Sequence, residues 1–290
     1  MDKLVPLLLR GGAGALLIAA LGFASDRLPA AFGALLASIP TTTAVSLFFI
    51  AQDQGIPFAV AATSSSAFTQ VANIAFAGTF AVLAWWLFPR KPVWAAVASI
   101  GAHALFTLPY FIIVGAAGAP LAVNLALYVL LLGAGLAVRR WILRQPNKEP
   151  SRSRPPLRSS LVQRILLGGG LVMGATVAAD LLGPSFGGVF ASFPVTFISL
   201  LLVAYRNRTL SYFLEQALGV IPNTLSLLTY ILGVHFLYPR LGIAWGTAAS
   251  YALFAAVAAP IGLWSLRQIR HGNERIAPAA EVQAAFEEPQ

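Results

Sequence analysis

DRLPAAFGALLASIPTTT, residues 26–43, is answered 154 residues later by DLLGPSFGGVFASFPVTF, residues 180–197. Asp26, Leu28, Phe32, Gly33, Ala37, Ser38, Pro40 and Thr42 recur without a gap as Asp180, Leu182, Phe186, Gly187, Ala191, Ser192, Pro194 and Thr196. Arg10 and Arg164 keep the same shift. After a small indel, Asn73, Thr79, Pro89 and Arg90 answer Asn223, Thr229, Pro239 and Arg240, and Trp94, Ser99 and Pro109 answer Trp245, Ser250 and Pro260. Self-similarity at a fixed offset marks a duplicated structural unit. In an apolar chain, a duplicated membrane unit points to transport.

Composition sets the class. Hydrophobic residues make up 58% of the 290 and charged residues only 10%, where a soluble domain carries about a quarter charged. The expectation is an all-α, polytopic membrane protein. A net charge of +9 does not indicate nucleic acid, because the basic residues fall between apolar runs and form no aromatic-interleaved patch. Cysteine is absent, which excludes disulfides, a thiol nucleophile and a thiolate metal site. Met1 to Arg10 followed by the apolar run Gly11 to Ala24 resembles the first two regions of a signal peptide. The same segment recurs from Arg164 to Ala179, where cleavage has no place, so it reads as a helix.

Nine apolar runs approach the ~20 residues that a bilayer crossing needs: 5–24, 29–51, 57–88, 92–115, 119–143, 161–182, 184–205, 209–238 and 241–267. The runs from 57 and 209 are longer than a perpendicular crossing requires and should tilt or kink, with Pro222 a candidate kink. The implied organisation is a first repeat at 1–118, a linking helix at 119–143, a basic linker at 144–160 rich in Pro, Ser and Arg, a second repeat at 161–270, and a polar, disordered tail at 271–290. With the N-terminus outside and the C-terminus inside, every Lys and Arg except Lys3, Arg10 and Arg240 is cytoplasmic, as the positive-inside rule requires. Five crossings then separate each helix from its copy, so the two units are inverted.

The sharpest polar constellation is Ser38, Pro40 and Thr42 with its copy Ser192, Pro194 and Thr196. Counting from residue 29 at 1.5 Å per residue puts Pro40 roughly 15 Å deep, near the bilayer midplane. A mid-helix proline frees the carbonyl four residues back. In hydrocarbon that carbonyl needs a donor, which a hydroxyl, a water or a substrate can supply. The alternative is an ordinary kink whose hydroxyls bond back within their own helix. Gly33, Ala37, Gly187 and Ala191 form small-residue faces suited to close helix packing. Asn73 and Asn223 are a second matched pair, either bridging helices or coordinating substrate. The run Thr63 to Ser66, Thr69 and Gln70 makes the first copy unusually polar at this helix.

Glu215 is the carboxylate inside a predicted span and the candidate coupling site, its alternative being an ion pair with Arg206 or Arg208. Asp26 and Asp180 read as helix-start caps rather than ligands. His103 and His235 lack a second ligand at metal spacing and read as hydrogen-bonded structural residues. No metal or cofactor is implied. HExxH, GxSxG, a phosphate-binding glycine loop and a close carboxylate pair are all missing from the sequence, which makes an enzyme the weakest reading.

FGGVFASFPVTFISLLLVA at 186–204, followed by GVIPNTLSLLTYILGV at 219–234, resembles the small four-helix GlpM-like bacterial membrane proteins. Phe193, Pro194 and the Ile221–Pro222 step carry the likeness, with Thr196 one place beyond the family's position. The first half is similar through ASIPTTT at 37–43 and lacks the later proline. The resemblance implies the bacterial inner membrane and an association with exopolysaccharide production. The plan of two inverted four-helix units also looks like that of drug/metabolite transporters, a likeness of architecture alone. The expectation is a secondary transporter for a small metabolite or lipid-linked intermediate, with the lipid bilayer as its environment and no nucleic-acid partner. A membrane scaffold for envelope polysaccharide assembly is the competing expectation. Polar groups converging at Pro40 and Pro194 favour the first, and an apolar filling there favours the second.

Overall fold

The computed structural model describes residues 9, 11–17, 19–20, 39–87, 92–114, 119–144, 159–194 and 210–287, which are helix and turn with no strand among them. In chain order, α1 occupies residues 11–17 and 19–20, α2 Thr41–Gln54, α3 Ile56–Leu87, α4 Pro92–Val114, α5 Leu121–Leu143, α6 Ser159–Leu182, α7 Pro184–Ala191 and α8 Leu210–Glu287. Among the described residues, three stretches are long and apolar enough to cross a membrane: Ile56–Trp86, Leu121–Leu143 and Ala217–Ser265. Helices are the solution hydrocarbon demands, since each satisfies its own backbone groups. The outer surface is apolar too. Ile112 and Ile113 of α4, Val129 and Leu130 of α5 and Trp245 of α8 are all exposed, an exterior suited to lipid rather than water.

Glycines in the left-handed region make the turns. Gly55 (φ 90°) separates α2 from α3 and Gly183 (φ 93°) separates α6 from α7. Gly242 (φ 74°, ψ 178°) divides α8 into arms 210–241 and 243–287, a conformation that costs a residue with a Cβ. The arms fold back on each other. A Cβ on Gly233 would lie 2.7 Å from Ser250 Oγ, one on Gly246 would lie 2.6 Å from Tyr238, and the Tyr238 and Thr247 hydroxyls are 2.8 Å apart. The predicted break between 238 and 241 is therefore a helical hairpin turning at Gly242.

α3 is the centre of the assembly and α5 its rim: 78% of the α3 span is buried, against 17% for α5. α3 packs on α2, α4, α5, α7 and α8. Polar contacts fix the relative directions. The Ser64 hydroxyl donates to Ala119 O (2.6 Å), Asn124 Nδ2 donates to Ser64 O (2.9 Å), and the Ala119 N–H donates to the Tyr110 hydroxyl (3.2 Å). These bonds join the start of α3, the start of α5 and the end of α4. Thr63 Oγ1 lies 2.7 Å from His235 Nδ1, which brings the end of the first α8 arm to the same place. At the opposite end of α5, Arg139 Nε donates to Leu218 O (3.1 Å). Gln54 Nε2 donates to the Asp180 carboxylate, so α2 and α6 end side by side. Midway along α6, a Cβ on Gly14 of α1 would sit 2.5 Å from Val172 Cγ2.

Several expectations are revised. Of the predicted helix from 29, α2 begins at Thr41, directly after Pro40, where proline lacks a donor and its φ is fixed, and residues 29–38 lie outside the described residues. The predicted helix 184–205 stops at Ala191, three residues short of Pro194, in keeping with the bias of pre-proline residues away from helix. Pro222 causes no break, and helix continues through it. Asp180 is no helix-start cap: it lies in the last turn of α6, and the residue preceding α7 is Gly183 with no side-chain cap. Asp26 lies outside the described residues. Past the apolar run the backbone stays helical to Glu287, through Ala, Glu and Gln positions of high helix propensity, where a disordered tail was expected.

Candidate functional site

The site grows from one face of α3. Ala62, Ser66, Gln70 and Asn73 recur at helical spacing, and this face meets α7. Closeness comes from Gly188, where an added Cβ would stand 2.1 Å from Ala62 O and 3.1 Å from the Ser66 nitrogen. The Ser66 hydroxyl consequently reaches Gly188 O at 2.9 Å. Seven residues on, Asn73 Nδ2 donates to Ser192 O (3.3 Å) and to Gln70 Oε1 (3.2 Å). Gln70 in turn donates to Ser66 O at 3.3 Å. A seam of hydroxyls and amides thus runs down the α3–α7 contact to the point where α7 ends.

That end point is the Ser192–Pro194 break. The Ser192 N–H donates to both Gly188 O and Val189 O at 3.2 Å and Phe193 N to Phe190 O at 3.3 Å, the tightening typical of a helix C-terminus. Ser192 and Asn73 are 2% and 4% exposed. Ser192 Oγ and Asn73 Oδ1 have no hydrogen-bond partner among the described residues. In the first half of the chain, Pro40 is buried ahead of α2, followed by buried Thr41, Thr42 and Thr43 and by Ser46, whose hydroxyl also has no described partner. α2 and α7 meet where a Cβ on Gly187 would be 3.3 Å from Ile50 Cδ1.

Of the sequence-predicted residues, Asn73 and Ser192 are brought into direct contact. Pro194 follows them in the same break. Pro40 and Thr42 form the start of α2. Asn223 is buried, with Oδ1 lacking a described partner. Counting from the Thr63–His235 contact, ten residues along α3 and twelve back along α8 place Asn73 and Asn223 level to within about 3 Å. Ser38 and Thr196 lie outside the described residues. Glu215 stands in the first arm of α8, three residues before Leu218, and its side chain lies outside the described residues.

Sequence reasoning undervalued two residues. His103 of α4 is buried with its ring edge-on to Phe193, centroids 4.9 Å apart, so it borders the α7 break. Arg139, counted as a solvated cytoplasmic charge, is 3% exposed, bonded to Leu218 O and placed 4.6 Å from the Trp264 ring. Its signal was helical phase: Asn124, Tyr128, Gly135, Arg139 and Ile142 make one buried stripe along α5. An apolar groove of about 330 Å³ between α3 and α5, lined by Ile74, Gly78, Leu131 and Val138 among others, lies away from the seam. Among the described residues no cluster of His, Asp or Glu suits a metal ion. Comparison with protein-family models, with curated proteins and with solved structures finds no match to this chain.

Proposed function

We propose that this chain is a multi-pass transporter built from two inverted units, moving a small metabolite or lipid-linked intermediate past a site at the two proline breaks. The observation that carries the reading is the buried Asn73–Ser192 contact, where a helix stops and two polar oxygens are left unpartnered. Hydrophobic filling of that place would favour a scaffold, and the described residues there include the Ser192 hydroxyl and the Asn73 and Gln70 amides beside the Phe193 and His103 rings. Broken helices that aim backbone groups at a mid-membrane site are the working parts of many secondary transporters.

The inverted-repeat reading has its own support. Ala15 and Gly169 are related by the 154-residue shift and touch each other: a Cβ on Gly169 would be 3.2 Å from Ala15 Cβ. A residue that meets its own copy is what a two-fold axis produces. Asn73 and Asn223, another matched pair, sit level on antiparallel stretches. Matched positions also share environments, with Ser99 and Ser250 buried, and Trp94 and Trp245 exposed. Each inter-helix bond that fixes direction joins segments which the N-out topology assigns to one membrane face. Glu215, close along α8 to the Arg139-bonded turn, is the proposed proton-coupling residue. The small residues Gly187 and Gly188 are packing residues in this scheme.

The test is flux in proteoliposomes. Purified protein should pass a subset of a metabolite panel, and Asn73→Ala or Ser192→Ala should lower the rate at unchanged protein content. Lack of movement for the entire panel, together with binding to polysaccharide-assembly proteins, would replace transport with the scaffold reading.

A further inference from the structure

The oxygens at the α7 break have the chemistry of a cation site. Both donors of the Asn73 amide are committed, to Gln70 Oε1 and Ser192 O, which leaves Oδ1 as an unpaired acceptor in a position 4% exposed. Beside it, Ser192 Oγ is unpaired and buried as well. Burying such atoms without partners costs free energy. The electrostatics have one sign. α7 ends here, so its dipole presents roughly half a negative charge at Ala191 and Ser192. The described cation nearest in role, Arg139, is committed to Leu218 O at the far end of α5. His103, packed on Phe193, is the titratable side chain described at the break. With Asn73 and Ser192 the site supplies neutral oxygens and no described carboxylate, which suits a monovalent ion rather than a divalent one. Half-helix C-termini and side-chain oxygens are what coordinate sodium in interrupted-helix transporters.

We infer that Asn73 Oδ1, Ser192 Oγ and the Ser192 carbonyl bind a sodium ion at the end of α7. This deepens the transport reading and rests on it for the ion's coupling role, while binding itself can be measured without transport. Ser192→Ala removes one ligand and no hydrogen bond formed by the Ser192 hydroxyl among the described residues, so it tests the ion apart from the fold.

The experiment compares thermal unfolding of the detergent-purified protein in sodium, potassium and choline chloride at equal ionic strength, with equilibrium dialysis against radioactive sodium as a second measurement. Sodium should raise the midpoint in a saturable way that choline does not match, and dialysis should show bound ion. Ser192→Ala should weaken the apparent sodium affinity about tenfold or more, while Ser265→Ala, which removes a buried hydroxyl without a described partner in the second arm of α8, should leave it unchanged. Equal midpoints in sodium and choline with no retained isotope would overturn the site, as would a Ser192→Ala protein with wild-type sodium affinity. If that variant does not fold, dialysis on the wild type decides alone. Sodium binding without solute flux would sink the transport reading and keep the site; solute flux with no retained sodium would do the reverse.

Discussion

Gly188→Ala is the most exacting perturbation of this fold, because one methyl group lands on backbone. The new Cβ would stand 2.1 Å from Ala62 O, 3.0 Å from Ala62 C and 3.1 Å from Ser66 N, none of which can rotate away. Gly188 is not among the positive-φ glycines, so alanine meets no conformational penalty and the effect isolates packing. Restoring ordinary contact moves α7 off α3 by more than about 1 Å, which carries the 2.9 Å Ser66–Gly188 and 3.3 Å Asn73–Ser192 bonds out of range. Two hydrogen bonds at about 0.5–1.5 kcal/mol each, with an overpacking cost of about 1–3 kcal/mol, give a loss of about 2–6 kcal/mol. Gly133→Ala is the matched control, since nothing lies within 4 Å of its Cβ; it should be neutral or gain up to about 1 kcal/mol of helix propensity. Gly14→Ala should fall between them, because the obstacle at 2.5 Å is the Val172 side chain, which can change rotamer. Denaturant-induced unfolding in a fixed micelle, read by tryptophan fluorescence, ranks the three. Gly188→Ala unfolding together with Gly133→Ala would refute the α3–α7 contact and with it the seam.

Arg139→Ala should destabilise by about 2–4 kcal/mol by removing a charge-assisted bond to Leu218 O and the contact with Trp264, while exposed Arg140→Ala should change stability by less than about 0.5 kcal/mol; equal melting of the two would contradict burial of Arg139. Because the native chain lacks cysteine, Gln54→Cys and Asp180→Cys can be introduced singly without a background, and an impermeant thiol reagent should label both from the outside of intact cells; labelling from opposite faces would break the α2–α6 pairing. Tyr238→Phe loses the 2.8 Å contact with Thr247 and should cost about 1 kcal/mol, with a drop confined to unfolding midpoint; a Thr247→Val background should abolish the difference if the two hydroxyls pair.

The apolar runs, and Pro40 and Pro194 as disturbances of helix, are legible in the sequence because each depends on local covalent chemistry. Apolar length sets helix, and proline denies a donor. Less legible was where α2 begins and α7 ends: 29–51 and 184–205 read as continuous spans, since hydropathy does not register where the backbone leaves helical geometry. The surroundings of His103 and Arg139 stayed hidden for a related reason. A histidine in an apolar run and an arginine beside a basic linker look ordinary until the neighbouring helices are in place.

By itself, then, the sequence determined the helical class, the apolar exterior and the matched polar pairs, all consequences of composition and of spacing along one chain. Only the tertiary structure decided which members of those pairs meet. Asn73 reaches Ser192 rather than its own copy because Gly188 lets α7 lie directly on the α3 backbone. Arg139 is buried because helical phase turns it toward Leu218 while its neighbour Arg140 faces out. Contacts of this kind depend on two helices approaching from distant parts of the chain, and their distance and phase are set by packing.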